Sequence, residues 1–330
     1  MPDEGEPHSA TWMSFGPSAE IWGEDLLPVV RRNLADVANA IARHEPVRML
    51  VRPDEMTLAR RMLSPAVSLV PVAVDDLWIR DSGPVFVADG GTALGGVDFN
   101  FNGWGERQEH GNDTLVAAKV TASADATPLG TPLTLEGGAL EVDGHGTALI
   151  TESCVLNENR NPGWSKAAVE AELGRLLGVR KVIWLPGIAG RDITDGHTDF
   201  YARFVAPGRV VAALDDDPAS FDFEVTRTHL DILRSVTDAD GRRLEVTTLS
   251  APTTVREAYA GEDFAAGYIN FYLCNGGLIA PQFGDRRADA AARDTLARLY
   301  GDRKIVQLNV DGIAAGGGGI HCSTQQQPAL

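Results

Sequence analysis

The chain has 330 residues, 44% of them apolar, and carries 46 acidic against 29 basic side chains for a formal net charge of −17. That size supports a substantial core, while the acidity argues against nucleic acid, which needs a basic footprint, and suits a small cationic substrate steered inward by the field. No apolar run is long enough to span a membrane, and Cys154, Cys274 and Cys322 are odd in number and far apart, which suggests neither a disulfide framework nor a zinc pair.

In chain order, Val30, Leu34, Val37, Ala38 and Ile41 recur at helical spacing and predict a helix from about residue 28, followed by a strand over 47–51. Residues 54–64 add a further helix, 67–74 an apolar run and 113–120 a weaker helix. A helix over 165–177 leads to strands over 181–185, 200–206 and 209–214. The order then returns: helix 221–236, strands 244–249, 268–274 and 277–280, helix 285–300 and strand 304–308. Helices beginning near 113, 165, 221 and 285 thus recur about every 50 to 65 residues, the mark of a repeated small β-rich unit carrying one helix. Five such units fill the chain. Closed into a ring, they place glycine-rich strand ends around a central channel. A doubly wound parallel sheet competes, but Gly316–Gly319 is not followed by Lys-Ser/Thr and is no P-loop. No linker marks a boundary, so residues 1–330 are expected to form one catalytic domain. The acidic start Met1–Glu6 has no signal h-region, and the cytoplasm is the expected compartment, although a chain trimmed of its leader would read the same.

Four segments join polar residues to turn residues. In Trp78-Ile79-Arg80-Asp81-Ser82-Gly83-Pro84, Arg80 reads as half of a structural ion pair at a strand end and Asp81 as a site residue. In Leu135-Glu136-Gly137-Gly138, the carboxylate is either a solvated turn residue or, if buried, one with a raised pKa suited to proton transfer. In Gly196-His197-Thr198-Asp199-Phe200, a strand-like run would put His197 and Asp199 on one face. Cys322 follows Gly316–Gly319, Ile320 and His321. It is either a thiol presented at a cavity wall by a tight glycine loop or a residue of a frayed C-terminus. Phe99–Glu106 reads as a shaped loop and Asn157–Pro162 as a hydrogen-bonded corner. Cys154 and Cys274 read as core or strand residues.

A thiol, a histidine and three carboxylates remain. A metal site of His197, Asp199 and Cys322 would mix hard and soft ligands and lacks a second histidine. Carboxylates around a thiol raise its pKa above the reference of about 8.5, which makes sense when the substrate is itself a cation. A guanidinium is planar and matched to carboxylates by paired N–H donors.

The segments Trp78–Pro84 (WIRDSGP), Glu136–Gly138 (EGG), Asn157–Pro162 (NENRNP), Gly196–Asp199 (GHTD) and Gly317–Pro328 (GGGIHCSTQQQP), with the opening Pro2–Met13, resemble the agmatine deiminase and bacterial-type peptidylarginine deiminase family over the whole chain. The resemblance implies an α/β pentein fold, a five-bladed propeller of ββαβ units around a channel. It also implies a deiminase that needs neither metal nor cofactor. By motif, Cys322 is the expected nucleophile, His197 the general acid/base and Glu136 its partner. Asp81 and Asp199 are expected to hold the guanidinium, with Trp78, Trp104 and Gly319 in the pocket wall. Agmatine is the leading substrate, with peptidyl or free arginine, or transfer or hydrolysis of the amidino group of another guanidino metabolite, as alternatives. Neither nucleic acid nor membrane is an expected partner; assembly into a homo-oligomer is compatible with the sequence. Agmatine-specific members tend to read GHVDN and FNAWGG, so Phe200 and Glu106 depart from the pattern and put the tail-binding part of the pocket in question.

Overall fold

The structure, a computed structural model, describes residues 1–261 and 263–330. Its strands fall into five small sheets. Blade 1 contains β1 (His8–Phe15), β2 (Val47–Val51) and β3 (Val67–Pro71). Blade 2 is β4 (Val85–Ala88), β5 (Leu94–Asp98) and β6 (Thr127–Gly130). Blade 3 is β7 (Leu140–Val142), β8 (Thr147–Thr151) and β9 (Lys181–Leu185). Blade 4 is β10 (Ala202–Ala206), β11 (Arg209–Leu214) and β12 (Glu245–Ser250). Blade 5 is β13 (Tyr272–Cys274), β14 (Gly277–Gln282) and β15 (Lys304–Asn309). In blades 2 to 5 the first two strands are antiparallel neighbours and the third is parallel to the second. A parallel neighbour requires a crossover, and each crossover holds a helix: Val116–Ser123, Lys166–Leu177, Asp222–Ser235 and Arg286–Leu299. This is the repeated ββαβ unit, and the five-bladed pentein fold expected from the resemblance.

The helices form where spacing and caps agree. In Lys166–Leu177 the buried face is Val169, Leu173 and Leu177, the Ser165 side chain accepts from Ala168 N, and Gly178 ends the helix at φ 72°. Asp285 caps Arg286–Leu299 in the same way. The first helix runs over Ala19–Ile41, earlier than its apolar rhythm indicates, because a break at Gly23 (φ 68°) and Pro28 interrupt the pattern. The expected strand over 268–274 shrinks to β13; residues 268–271 are buried but outside the ladder.

Blade 1 completes itself with the far end of the chain. β16 (Gln325–Pro328) lies antiparallel to β1, pairing His8 with Pro328 and Trp12 with Gln325. The three glutamines are anchored individually. Gln327 accepts from Trp12 Nε1 at 2.9 Å, Gln326 accepts from Arg80 at 2.7 Å, and Gln325 donates to Pro84 O at 2.9 Å. The frayed-terminus reading of Cys322 is thereby overturned: the residues that follow it are a strand of the first blade.

Candidate active site

Cys322 is reached by a loop whose glycines are fitted to aromatic and amide neighbours. A Cβ at Gly316 would lie 2.2 Å from the Trp22 ring, one at Gly318 2.2 Å from the Trp78 ring, and one at Gly319 2.3 Å from Asn270 Oδ1. Gly316, Gly318 and Gly319 are therefore packing requirements, while Gly317 stands at φ 84°, and the run brings Trp78 against the thiol loop at Gly318. Asn270 clamps that loop: its Oδ1 accepts from His321 N at 2.9 Å and its Nδ2 lies 3.3 Å from Cys322 Sγ. Cys322 is 5% exposed. Burial, with the charges of Asp199 and Asp81, pushes its thiol pKa well above the ordinary value.

Asp199 stands 3.5 Å from the sulfur through Oδ2, which also accepts from His321 Nδ1 at 2.7 Å. Burial opposes its ionisation, but the hydrogen bond and charge of His321 outweigh that and lower its pKa. Its other oxygen, Oδ1, is buried without a hydrogen-bond partner. Asp81, in the helical turn Ile79–Ser82, accepts from Trp104 Nε1 and from Gly138 N, each at 3.1 Å. Burial is the main reason its pKa rises to about 6; Asp199 and Glu136 add to the rise and His197 opposes it. His197 lies between the carboxylates, Nδ1 3.8 Å from Asp81 and Nε2 3.5 Å from Glu136. Burial disfavours its charge, yet Asp81, Cys154 and Glu136 hold its pKa well above 6.5. Gly138 is the point where these groups meet: a Cβ there would fall 2.6 Å from His197 Nδ1, 2.9 Å from Asp81 and 3.2 Å from Asp199.

Several expectations need correction. His197 and Asp199 do not alternate on a strand. Asp195 and Gly196 turn the chain at φ 62° and 88°, and Thr198–Phe200 is a 3₁₀ turn. One side chain therefore meets Glu136 and the other meets His321. Glu136 is fully buried, but its pKa is not raised. Burial is outweighed by the hydrogen bond with His197 and the charge of Arg160, and the pKa falls to about 2. Arg80 is half of a buried structural ion pair, as expected, but its partner is Glu4 rather than Asp81, and it also donates to Gln326.

The corner Asn157–Pro162, given no chemical step from sequence, supplies Arg160. Its Nε donates to Glu136 at 2.9 Å and its Nη1 to Asp195 at 2.6 Å. Cys154 also proves to be more than packing: it sits in the turn Glu152–Val155 with Sγ 3.5 Å from Glu136 Oε2. Among the described residues, Glu136, Cys154 and His197 are the group of donor side chains close enough to share a metal ion, their ligand atoms lying within 4.8 Å of one another. Cys274 lies in β13, as expected of a strand residue. Asn270 was hidden in a segment read as strand, and His321 and Glu4 were inside quoted motifs without a distinguishing signal.

A chamber of about 580 Å³ adjoins the site, with His197, Phe200 and Gly317 among the residues lining it. Asp192, Asp215, Asp217, Asp222 and Asp263 also line it, against two basic residues among the described lining, His197 and Arg191, the latter with its guanidinium stacked on Phe221 at 4.4 Å. Burial, with Asp215 and Asp192 nearby, raises the Asp222 pKa to about 6. The two departures from the motif separate here. Phe200 forms chamber wall and packs on Gly267, whereas the Glu106 side chain is 77% exposed, on a backbone at φ 62° that glycine adopts freely.

No helix among the described residues is long and apolar enough to cross a membrane. The family model for Porphyromonas-type peptidyl-arginine deiminase matches residues 1–328. A Streptomyces coelicolor relative is 46% identical over 99% of this chain and 98% of its own length. The agmatine deiminase of Medicago truncatula is 38% identical over 100% of this chain and 96% of its own. The solved agmatine deiminase of Enterococcus faecalis superposes with a TM-score of 0.94 at 35% identity, covering 100% of this chain and 95% of that one. The chain belongs to the Porphyromonas-type peptidyl-arginine deiminase family.

Proposed function

We propose that the protein deiminates agmatine, releasing ammonia and N-carbamoylputrescine. The observation that carries this reading is a buried thiol flanked by two buried carboxylates, Asp81 and Asp199, neither of which has an Arg or Lys partner among the described residues. Such carboxylates have imidazole neighbours but no guanidinium, and a substrate guanidinium supplies donors for both. On substrate binding the Cys322 thiol gives its proton to solvent, the thiolate being stabilised by the bound charge, and Sγ adds to the guanidinium carbon. His197, held by Glu136, protonates the departing nitrogen, and ammonia leaves an amidino-thioether. Water then gives a proton to His197 and attacks the same carbon as hydroxide; the carbon–sulfur bond breaks, the hydroxyl proton of the adduct passes to the sulfur, and the ureido product and the thiol are released. The aspartate-rich chamber supports agmatine over arginine, since a tail ammonium is attracted there and a substrate carboxylate is repelled.

The test is a guanidine panel of agmatine, L-arginine and a blocked peptidyl-arginine in one buffer, assayed for both ammonia and urea. Agmatine should give the highest kcat/KM, with ammonia as product and no loss in chelator. Cys322→Ala should fold without turnover. Urea as the main product refutes deimination, and a tenfold advantage for either arginine substrate, about 1.4 kcal/mol in transition-state binding, refutes the choice of agmatine.

A further inference from the structure

The proposed chemistry uses Asp199 but leaves unexplained the residues that hold it. His321 donates from Nδ1 to Asp199 at 2.7 Å, and its Nε2 lies 2.9 Å from Glu4 Oε2. All three side chains are buried. Each ring nitrogen thus faces a carboxylate oxygen. Glu4 accepts three further hydrogen bonds: from Arg80 at 3.1 Å, Arg203 at 2.9 Å and Leu273 N at 2.8 Å. Arg203, in β10, also donates to Glu141 of β7 at 2.8 Å. Glu4 precedes β1, Arg80 precedes β4 and Leu273 lies in β13, so this carboxylate joins segments of four blades next to the thiol loop and, through Arg203, reaches the remaining one at Glu141.

We propose that Glu4 is a positioning residue for guanidinium capture: through His321 it holds Asp199 ionised, with Oδ2 engaged and Oδ1 left to the substrate. Two observations favour this over simple neutralisation of Arg80 and Arg203. The His321 contact is superfluous to neutralising two arginines, and Asp199 Oδ1 is, with His197 Nε2, one of two site atoms left buried without a hydrogen-bond partner among the described residues. The inference rests on the guanidine reading of the site.

The test compares alkylation of Cys322 by chloroacetamidine, a cation, and by chloroacetamide, its neutral isostere. Each reaction forms a carbon–sulfur bond and expels chloride, so the ratio of the two rates isolates attraction for the amidinium and cancels general loss of thiol reactivity. The wild type should favour the cation. Glu4→Gln should reduce that ratio at least tenfold, His321→Gln should match it, and the double variant should add nothing further. A folded Glu4→Gln protein with the wild-type ratio, additive single effects, or a wild type indifferent to charge each overturn the proposal. If Glu4→Gln does not fold, His321→Gln decides alone, a wild-type ratio again overturning it. Because alkylation needs no turnover, failure of agmatine as a substrate is scored separately.

Discussion

Replacing Gly138 by alanine adds one methyl group at the meeting point of the His197, Asp81 and Asp199 side chains, the groups proposed to act in catalysis. That methyl would stand 2.6 Å from His197 Nδ1, 2.9 Å from Asp81 Oδ1 and 3.2 Å from Asp199 Oδ2. Ordinary contact begins near 3.4 Å, so all three groups must retreat, the histidine by close to an ångström. Gly138 is not at positive φ, so alanine brings no backbone strain and the cost is overpacking alone, about 1–3 kcal/mol of stability. Catalysis should suffer more, because misplacing reacting groups by about 1 Å costs roughly 100-fold. The expected outcome is a folded protein with kcat/KM for agmatine down about 100-fold or more, measured as ammonia release beside an unfolding curve. Gly130→Ala is the control: it also avoids positive φ, and nothing lies within 4 Å of its added methyl. A Gly138→Ala enzyme within threefold of wild type would show that these side chains do not work in the described arrangement.

Other perturbations follow from the same geometry. Cys154→Ala removes the thiol facing Glu136 and should lower kcat/KM about fivefold, the worth of one weak buried hydrogen bond, while Cys274→Ala should stay within twofold; equal effects refute a role for Cys154 beside the histidine. Asp81 has its pKa raised to about 6, so its anionic form is lost as pH falls through that value; kcat/KM for agmatine should decline there, a limb absent from Asp81→Asn. Arg160→Ala leaves Glu136 and Asp195 buried without their shared guanidinium and should destabilise by about 3–5 kcal/mol in urea unfolding; a loss below about 1 kcal/mol would refute that bridging role.

The repeat was legible because each blade reuses the same local grammar, a helix at 3.6-residue spacing between short apolar runs. The motif glycines marked the site because close approaches demand them. Whatever depends on partners distant in sequence stayed hidden. Nothing near Glu136 announces that Arg160 joins His197 in lowering its pKa, and nothing near Cys322 announces Asn270. The alternation of His197 and Asp199 misled because Asp195 adopts a left-handed backbone that its residue type does not require. The case of Glu106 runs the other way: a departure from the motif that looked relevant to substrate choice points into solvent.

The pairing of β1 with β16 also fixes when activity can arise during synthesis. The two strands are separated by more than 300 residues, so their ladder is among the least local contacts in the molecule and its closure entropy is large. A nascent chain translated only through blade 5 already holds Asp81, Glu136, His197 and Asp199. It lacks the thiol, the loop stacked on Trp22 and Trp78, and the strand that joins the ends. Such a chain holds the carboxylates but not the sulfur proposed as nucleophile, so that sulfur enters the protein together with the strand that pairs with β1.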